Sequence, residues 1–187
     1  MAQSLYDLLR SWMLPLKEID RLIPRKGRIV DLGCGEGVTA KYLAHIKSRT
    51  IIGVDNNKKR LQKSTLKNLQ FKLADIRKYP LKKADTVIFS DVLHHLSYVD
   101  QKVLLAKVAK ALKKNRLLLI KEIDTKEFVR SSLSRFWDFV FYPKDKIYYH
   151  DSEKFKTELE KLGFIVEVIR ASRLFPGSTT LFVCQKS

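Results

Sequence analysis

The sequence predicts an α/β fold: a mostly parallel sheet with helices on both faces, closed by a C-terminal antiparallel hairpin. Short apolar runs alternate with helix-compatible runs over residues 28–123, which is typical of a parallel sheet. The last two apolar runs, 164–170 and 179–185, have no helix between them, so we expect them to pair antiparallel. A chain of 187 residues suits one domain, 1–187.

Each element follows from its own residue pattern. The first predicted helix has Leu5, Leu8 and Trp12 at helical spacing, and Pro15 ends it. Gly163 is the expected C-cap of the last helix. The predicted helices are 4–13, 16–22, 38–46, 58–67, 101–112 and 152–162. The predicted strands are 28–32, 50–54, 69–74, 84–90, 117–123, 164–170 and 179–185.

A glycine-rich turn joins the first predicted strand to the helix that follows it. Residues 29–37 read IVDLGCGEG, with glycines at alternate positions. Glycine lets the backbone turn sharply and approach a ligand closely, and the next helix presents open N–H groups. A dinucleotide-binding turn, G-x-G-x-x-G, would need a third glycine where this chain has Val38. The spacing therefore argues against a dinucleotide.

Asp55 supplies the second half of this signal. It ends the next apolar run, about twenty residues after the turn. An ionised carboxylate at a strand tip offers two acceptor oxygens, which suit both hydroxyls of a ribose. The alternative is a glycine-rich turn in an ordinary α/β protein. The turn, its strand–helix–strand context and Asp55 together favour a nucleoside ligand.

The D-x-G-x-G-x-G run resembles the first motif of the class I S-adenosylmethionine (SAM)-dependent methyltransferases, and Asp55 and the terminal hairpin extend the resemblance over nearly the whole chain. The resemblance implies a Rossmann-like, seven-stranded sheet whose last strand is antiparallel. It implies SAM as the cofactor and S-adenosylhomocysteine (SAH) as the product.

The resemblance also implies cofactor positions at the carboxyl ends of the predicted strands. Asp31 would face the methionine ammonium, Asp55 would hold the ribose, and Asp75 would accept from the adenine amino group. The alternative for Asp75 is a turn cap. The implied methionine-side residues are Asp31, Gly33, Cys34, Gly35 and Ser90, the glycine-loop members acting through backbone. The implied nucleoside-side residues are Asp55, Asn56, Asp75 and Ile76, the last through its N–H.

Residues 90–96, SDVLHHL, resemble runs in the small-molecule and lipid-directed branch of these enzymes. The chain lacks the N-P-P-Y or D-P-P-Y tetrapeptide of base- and glutamine-methylating members. It also lacks the paired catalytic cysteines of the 5-methylpyrimidine enzymes. We therefore expect a small-molecule or lipid-like acceptor. An RNA or protein methyltransferase and a non-catalytic cofactor-binding scaffold are the alternatives.

An oxygen or thiol acceptor needs a proton acceptor, and imidazole titrates near neutral pH. The candidates are Asp91, His94, His95 and, from a later loop, His150. Any of these histidines could instead cap a helix or pack against the cofactor. We expect no metal site, because adjacent histidines rarely face one ion and a third ligand pattern is missing.

Residues 126–150 form the expected substrate-side insertion. Trp137 and Phe141 belong to one apolar helical stripe with basic flanks, and Tyr148 and Tyr149 follow it. Such a wall suits an apolar acceptor with an acidic group, or a lipid head at a membrane surface. The alternative is a stripe that packs on the sheet. Residues 1–24 are the expected helical lid over the cofactor.

The net charge of +17 is concentrated in the sequence. Residues 56–83 contain ten basic residues and one acid, and residues 102–121 contain seven and none. Such a face attracts nucleic acid or anionic lipid, unless it is simply a solvated lysine-rich surface. The chain has no apolar run of about 18 residues, no signal-peptide pattern and two cysteines. We expect a cytoplasmic protein, with peripheral membrane contact as an option.

Overall fold

Strands and helices alternate along residues 14–61, 63–122, 148, 150–170 and 179–187, which are the residues that the computed structural model describes. The strands are β1 (Gly27–Leu32), β2 (Arg49–Asp55), β3 (Leu69–Leu73), β4 (Thr86–Ser90), β5 (Leu117–Glu122), β6 (Phe164–Arg170) and β7 (Thr180–Lys186). The helices are α1 (Leu16–Leu22), α2 (Val38–Leu43), α3 (Tyr98–Ala111) and α4 (Ser152–Lys161), and a 3₁₀ turn covers Leu93–His95.

The seven strands form one sheet in the order β3-β2-β1-β4-β5-β7-β6. The first five strands pair in parallel. Strand β7 runs antiparallel to both β5 and β6, so the late pair is the predicted hairpin. The predicted seven-stranded, mostly parallel Rossmann-like fold is therefore confirmed.

Two apolar cores, one on each face of the sheet, hold the helices in place. Side chains alternate along a strand, so Ile29 packs on one face while Val30 packs on the other. Ile19 of α1 and Leu43 of α2 lie in the core with Ile29. The larger core holds Val30 together with the buried residues of α3 and α4: Leu104, Leu105, Val108, Ala109, Phe155 and Leu159.

Side-chain caps fix where the later helices begin. The Ser97 hydroxyl accepts a hydrogen bond from the Asp100 N–H, so α3 begins at Tyr98, three residues before the predicted start. The Asp151 carboxylate accepts from the N–H groups of Glu153 and Lys154 at the start of α4. Gly163 follows α4 with φ +80°, the left-handed conformation expected of a C-cap glycine.

The predicted helix over 58–67 is wrong. Its described residues, all but position 62, contain turns and no helix. The Asp55 carboxylate accepts from the Asn57 N–H, and the Asn57 side chain accepts from the Lys59 N–H, so side chains stabilise a turn there. Repulsion among closely spaced lysines further disfavours a helix.

Helix α2 ends at Leu43, three residues earlier than predicted. The Leu43 carbonyl accepts from the Ile46 N–H and from the Arg49 guanidinium, so the last turn closes instead of continuing. Residue 123 of the fifth predicted strand, the helix over 4–13 and most of the insertion over 126–150 lie outside the described residues.

A fully buried guanidinium, that of Arg49, ties α1 to the amino-terminal edge of the sheet. Arg49 forms an ion pair with Asp20 of α1. It also donates to the carbonyls of Ile23 at 2.8 Å and Pro24 at 2.9 Å. The carboxyl-terminal edge of the sheet, at the other end of the strands, is thereby left for a ligand.

Candidate functional site

A cleft opens at the carboxyl ends of β1 and β4. The strand order reverses direction between these two strands, which is where open α/β sheets bind ligands. The cleft is open, and its space together with the solvent at its mouth measures about 210 Å³. Its lining residues are Leu14, Asp31, Gly33, Cys34, Val38, Thr39 and Ser90.

The glycine loop is held in shape by its own N–H groups. The N–H groups of Gly33 and Cys34 donate to the Val54 carbonyl at 2.7 and 3.1 Å. A side chain at Gly33 would place its Cβ 2.2 Å from Val92, and φ there is +77°. Gly35 also has a positive φ, of +53°, but a Cβ there would meet nothing within 4 Å. The backbone at Gly35 is therefore open to a ligand.

The Asp55 carboxylate braces this loop. Its Oδ2 accepts from the Gly35 N–H at 2.8 Å, and its Oδ1 accepts from the Asn57 N–H at 2.8 Å. A carboxylate has about four acceptor positions, so both oxygens can also accept hydrogen bonds from hydroxyl groups of a ligand.

Two buried polar side chains line the cleft beside the loop. Asp31 is 1% exposed, and Ser90, at the end of β4, is 6% exposed. The Ser90 hydroxyl oxygen has no hydrogen-bond partner among the residues that the structure describes. A buried hydroxyl without a partner costs free energy, which a polar ligand in the cleft would offset.

A buried polar cluster extends from the cleft to the ends of β4 and β5. The Lys121 ammonium contacts the Asp91 carboxylate at 2.5 Å. The Glu122 carboxylate contacts His94 Nδ1 at 2.5 Å and accepts from the Leu93 N–H at 2.9 Å. His94 and Glu122 are 2% and 6% exposed. This cluster therefore brings two carboxylates, an ammonium and an imidazole to the same edge of the sheet.

Comparison with known proteins identifies the family. A family model described as a methyltransferase domain matches residues 6–168, most of the chain. The chain belongs to this methyltransferase family. A search of curated proteins finds no significant match.

Solved methyltransferases share the fold of this methyltransferase. Magnesium protoporphyrin IX methyltransferase from Synechocystis PCC 6803 with bound SAH is 18% identical, with a TM-score of 0.76 over 97% of this chain and 86% of that one. A SAM-dependent methyltransferase from Archaeoglobus fulgidus is 20% identical, with a TM-score of 0.76 over 96% and 94% of the two chains. Human N-acetylserotonin methyltransferase with SAM is 17% identical, with a TM-score of 0.73 over 97% of this chain and 55% of that one.

The cofactor of the methyltransferase is SAM, and the residues in the cleft fit it. The backbone at Gly35 is open, Asp55 can accept hydrogen bonds from ribose hydroxyls, and the buried Ser90 hydroxyl lacks a partner among the described residues. Burial, then the nearby Asp31 and Asp55 carboxylates, raises the pKa of the Cys34 thiol well above its usual range. A raised pKa favours the neutral thiol, which is a weaker nucleophile than the thiolate.

The hydrogen bonds of the glycine loop limit which of its backbone atoms can make the predicted contacts. Backbone contacts of Gly33, Cys34 and Gly35 with the methionine part were predicted, but their three N–H groups bond within the protein, to Val54 and Asp55. Their carbonyl and Cα atoms are what the loop offers to a ligand. The predicted contacts stay a prediction in that form.

On the adenine side, the Asp75 carboxylate is bound by the Arg77 side chain, which holds the pKa of Asp75 below its usual range. Asp75 also accepts from the Arg77 N–H at 2.9 Å, so it does cap its own turn. Asn56 is exposed beside the loop, and Ile76 is buried in the larger core. Adenine contacts from these residues stay predictions.

The predicted proton acceptors occupy different surroundings. The His95 ring lies 4.3 Å from the His94 ring, between centroids. His150 Nε2 contacts the Gln101 side chain, and the His150 ring stacks on Phe155 at 4.3 Å. Burial lowers the pKa of His150. His150 thus joins the chain after the insertion to α3 and α4, which is a packing role.

Of the predicted acceptor-side residues, Tyr148 alone lies among the described residues. Its ring packs edge-on against Tyr98 at 5.2 Å, and its N–H donates to the His94 carbonyl at 2.8 Å. Trp137, Phe141 and Tyr149 lie outside the described residues. Tyr148 is therefore held directly beside His94.

Sequence reasoning missed Lys121 and Glu122. The signal was present, since two charged residues end an otherwise apolar strand at the ligand-binding edge. A charged pair at the end of a buried strand needs partners. Which residues those partners are depends on the alignment of β4 with β5, and the sequence does not state it.

Replacing Asp55 by alanine should lower SAH affinity roughly 10²-fold, because two hydrogen bonds to a charged group contribute about 3 kcal/mol together. Isothermal titration calorimetry measures the change. The matched control is Asp85→Ala, which removes a carboxylate bonded to Arg28 and Arg116 at the opposite edge. Equal SAH affinity in the wild type and Asp55→Ala would make the ribose assignment wrong.

Proposed function

We propose that this methyltransferase methylates an oxygen or sulfur atom of a small-molecule or lipid-like acceptor, with His94 as the proton acceptor. The observation that carries the proposal is the buried contact between His94 and Glu122 at the carboxyl ends of β4 and β5. This pair lies one strand from the cofactor cleft. The pair and the cleft share the carboxyl edge of the sheet, where we place the acceptor.

Glu122 fixes both the orientation and the tautomer of His94. One Glu122 oxygen accepts from the Leu93 N–H, so the carboxylate is anchored to the same turn that carries the imidazole. The other oxygen faces Nδ1, and a carboxylate accepts a hydrogen, so Nδ1 carries it. Nε2 is then the ring nitrogen without a hydrogen, and we propose it as the proton acceptor.

SAM supplies a methyl group on a positively charged sulfur, which is already activated as a leaving group. The protein's remaining contribution is to position the reactants, an effect that can supply about 7–11 kcal/mol. The loop from Gly33 to Gly37, Asp55 and Ser90 would hold the cofactor, and His94 would remove the acceptor proton. Asp91 and His95 remain alternative proton acceptors, and His150 is the weakest candidate because it packs against Phe155.

The acceptor wall is proposed to come from the insertion over 126–150. Tyr148 beside His94 marks where this segment rejoins the described protein, which supports Trp137, Phe141 and Tyr149 as further wall residues. Leu14, which belongs to the proposed lid over residues 1–24, lines the cleft. The named substrates of the two neighbours, magnesium protoporphyrin IX and N-acetylserotonin, are small molecules and support this class.

The test is a transfer assay with methyl-labelled SAM and a panel of phenols, thiols, fatty acids, RNA and denatured protein. Label on a phenol, thiol or fatty acid supports the proposal. Label on RNA or protein alone contradicts it and favours the alternative methyltransferases. SAM binding without transfer to any member would favour a non-catalytic scaffold.

The basic surface favours RNA as a second candidate acceptor. Exposed lysines surround the edge strand β3 and the loops on either side of it. They are Lys58, Lys59, Lys63, Lys67, Lys72, Lys78, Lys82 and Lys83. The acid of this region, Asp75, is already paired with Arg77. Because Asp75 is the proposed adenine contact, this basic surface lies next to the proposed adenine side of the cleft.

RNA binding through this surface should weaken steeply with salt, since the slope of log affinity against log salt grows with the number of phosphates neutralised. Fluorescence anisotropy with a labelled single-stranded RNA measures this slope, and Lys58→Ala/Lys59→Ala should reduce it. Salt-dependent binding to anionic vesicles but not to RNA would instead favour the proposed peripheral membrane location of a cytoplasmic protein. No helix among the described residues is long and apolar enough to span a membrane.

A further inference from the structure

Lys121 carries a buried ammonium on the side of the sheet that forms the cofactor cleft. Residues 119 and 121 point to the same face of β5, and Leu119 lies in the core beside α1 and α2. Ser90, which lines the cleft, is paired with Lys121 in the alignment of β4 and β5. The Lys121 side chain is 8% exposed. A cation is thus buried one strand away from the Ser90 hydroxyl.

Among the residues that the structure describes, this ammonium contacts Asp91 alone, which leaves it with further donors for a ligand. Lys121 contacts Asp91 Oδ1, while an ammonium has three N–H donors. Asp91 has φ +54°, an uncommon conformation for a residue other than glycine, and its N–H donates to the Lys121 carbonyl at 3.1 Å. The backbone and side chain of Asp91 therefore both hold the end of β5.

The amino-acid tail of SAM carries a carboxylate as well as an ammonium, and the carboxylate needs donors. The N–H groups of Gly33, Cys34 and Gly35 already bond to Val54 and Asp55. Asp31, a buried carboxylate, suits the ammonium. The Ser90 hydroxyl and the Lys121 ammonium are the donors on the same face of the neighbouring strands.

We propose that Lys121, together with Ser90, binds the carboxylate of the cofactor's amino-acid tail, while Asp31 binds its ammonium. The inference rests on SAM binding in the cleft between β1 and β4. It assigns a role to the buried Lys121 ammonium and to the buried Ser90 hydroxyl. It also makes Lys121 a determinant of which adenosyl compounds the protein binds.

The test compares SAM with decarboxylated SAM, which keeps the sulfonium, the nucleoside and the ammonium but lacks the carboxylate. Calorimetric titrations use the full-length protein and Lys121→Met. The wild type should prefer SAM by about 10- to 100-fold, the range for hydrogen bonds to a charged group. Lys121→Met should lose that preference while binding decarboxylated SAM within about twofold of the wild type. Ser90→Ala should lose part of the preference.

Asp31→Asn is the matched control, because both ligands carry the ammonium and should lose affinity alike. Lys121→Arg should keep part of the preference for SAM, which separates loss of the positive charge from loss of packing. The proposal is overturned if the wild type does not discriminate between the ligands, or if Lys121→Met weakens both equally. Failure of the wild type to bind either ligand would instead refute SAM binding itself.

Discussion

Replacing His94 by alanine should lower kcat by about 10²–10⁴-fold, the usual contribution of a positioned general base. SAH affinity should change little, because His94 lies at the ends of β4 and β5 and not in the lining of the cofactor cleft. The measurement is transfer of labelled methyl from SAM to whichever phenol, thiol or fatty acid the wild type methylates. Added imidazole should restore part of the lost activity, since the substitution leaves a cavity of matching shape.

Glu122→Gln tests whether the carboxylate works through His94. The glutamine oxygen can still accept from the Leu93 N–H, but its amide group would donate to Nδ1. Nε2 would then carry the hydrogen and could not accept another. We expect kcat to fall by at least roughly tenfold, with a shifted pH–rate profile and an unchanged melting temperature.

The control for these variants is His95→Gln, which changes the neighbouring ring and leaves Glu122 in place. We expect a loss of less than about tenfold. If His95→Gln costs more activity than His94→Ala, or if imidazole fails to rescue His94→Ala, the proton acceptor is not His94. A fall in SAH affinity that matches the fall in kcat would also contradict the assignment.

Arg49→Met should lower the free energy of unfolding by about 3–5 kcal/mol, as expected when one partner of a buried ion pair is removed. The guanidinium is fully buried and bonds to the Asp20 carboxylate and to the carbonyls of Ile23 and Pro24. Methionine fills the volume but leaves these acceptors without donors. Urea unfolding measures the change, and the melting temperature should fall by roughly 6–20 °C for a chain of this size.

Two variants define what the Arg49 result means. Arg116→Met removes a half-exposed ion pair with Asp85 and should cost less than about 1 kcal/mol. SAH affinity of the folded Arg49→Met protein should match the wild type, because Arg49 lies at the edge of the sheet opposite the cleft. A loss of stability no greater than that of Arg116→Met would show that the buried cation does not anchor α1.

The sequence predicted the sheet well because its signals are local. Alternating apolar runs, the glycine turn and the missing helix before the last strand each depend on neighbouring residues. The helix over 58–67 failed because the Asp55 and Asn57 side chains stabilise a turn that helical spacing does not reveal. The predicted start of α3 was three residues too late because the Ser97 cap was not recognised.

The site was predicted less completely than the fold. The topology brings the predicted positions Asp31, Asp55 and Ser90 to the carboxyl edge of the sheet, and their contacts with the cofactor stay predictions. The partners Lys121 and Glu122 were missed because their contacts cross from β5 to the chain after β4, about thirty residues away. Such contacts depend on the alignment of strands, which a single sequence leaves open.

SAM binding in the cleft between β1 and β4 underlies the roles proposed for Asp31, Ser90 and Lys121. Calorimetric titration of the full-length protein with SAH, with NAD⁺ as the comparison ligand, tests it most directly. We predict one SAH per chain with a Kd between roughly 1 µM and 1 mM, the usual range for enzyme ligands, and no measurable binding of NAD⁺. Absence of SAH binding, or binding of NAD⁺ in its place, would contradict the account.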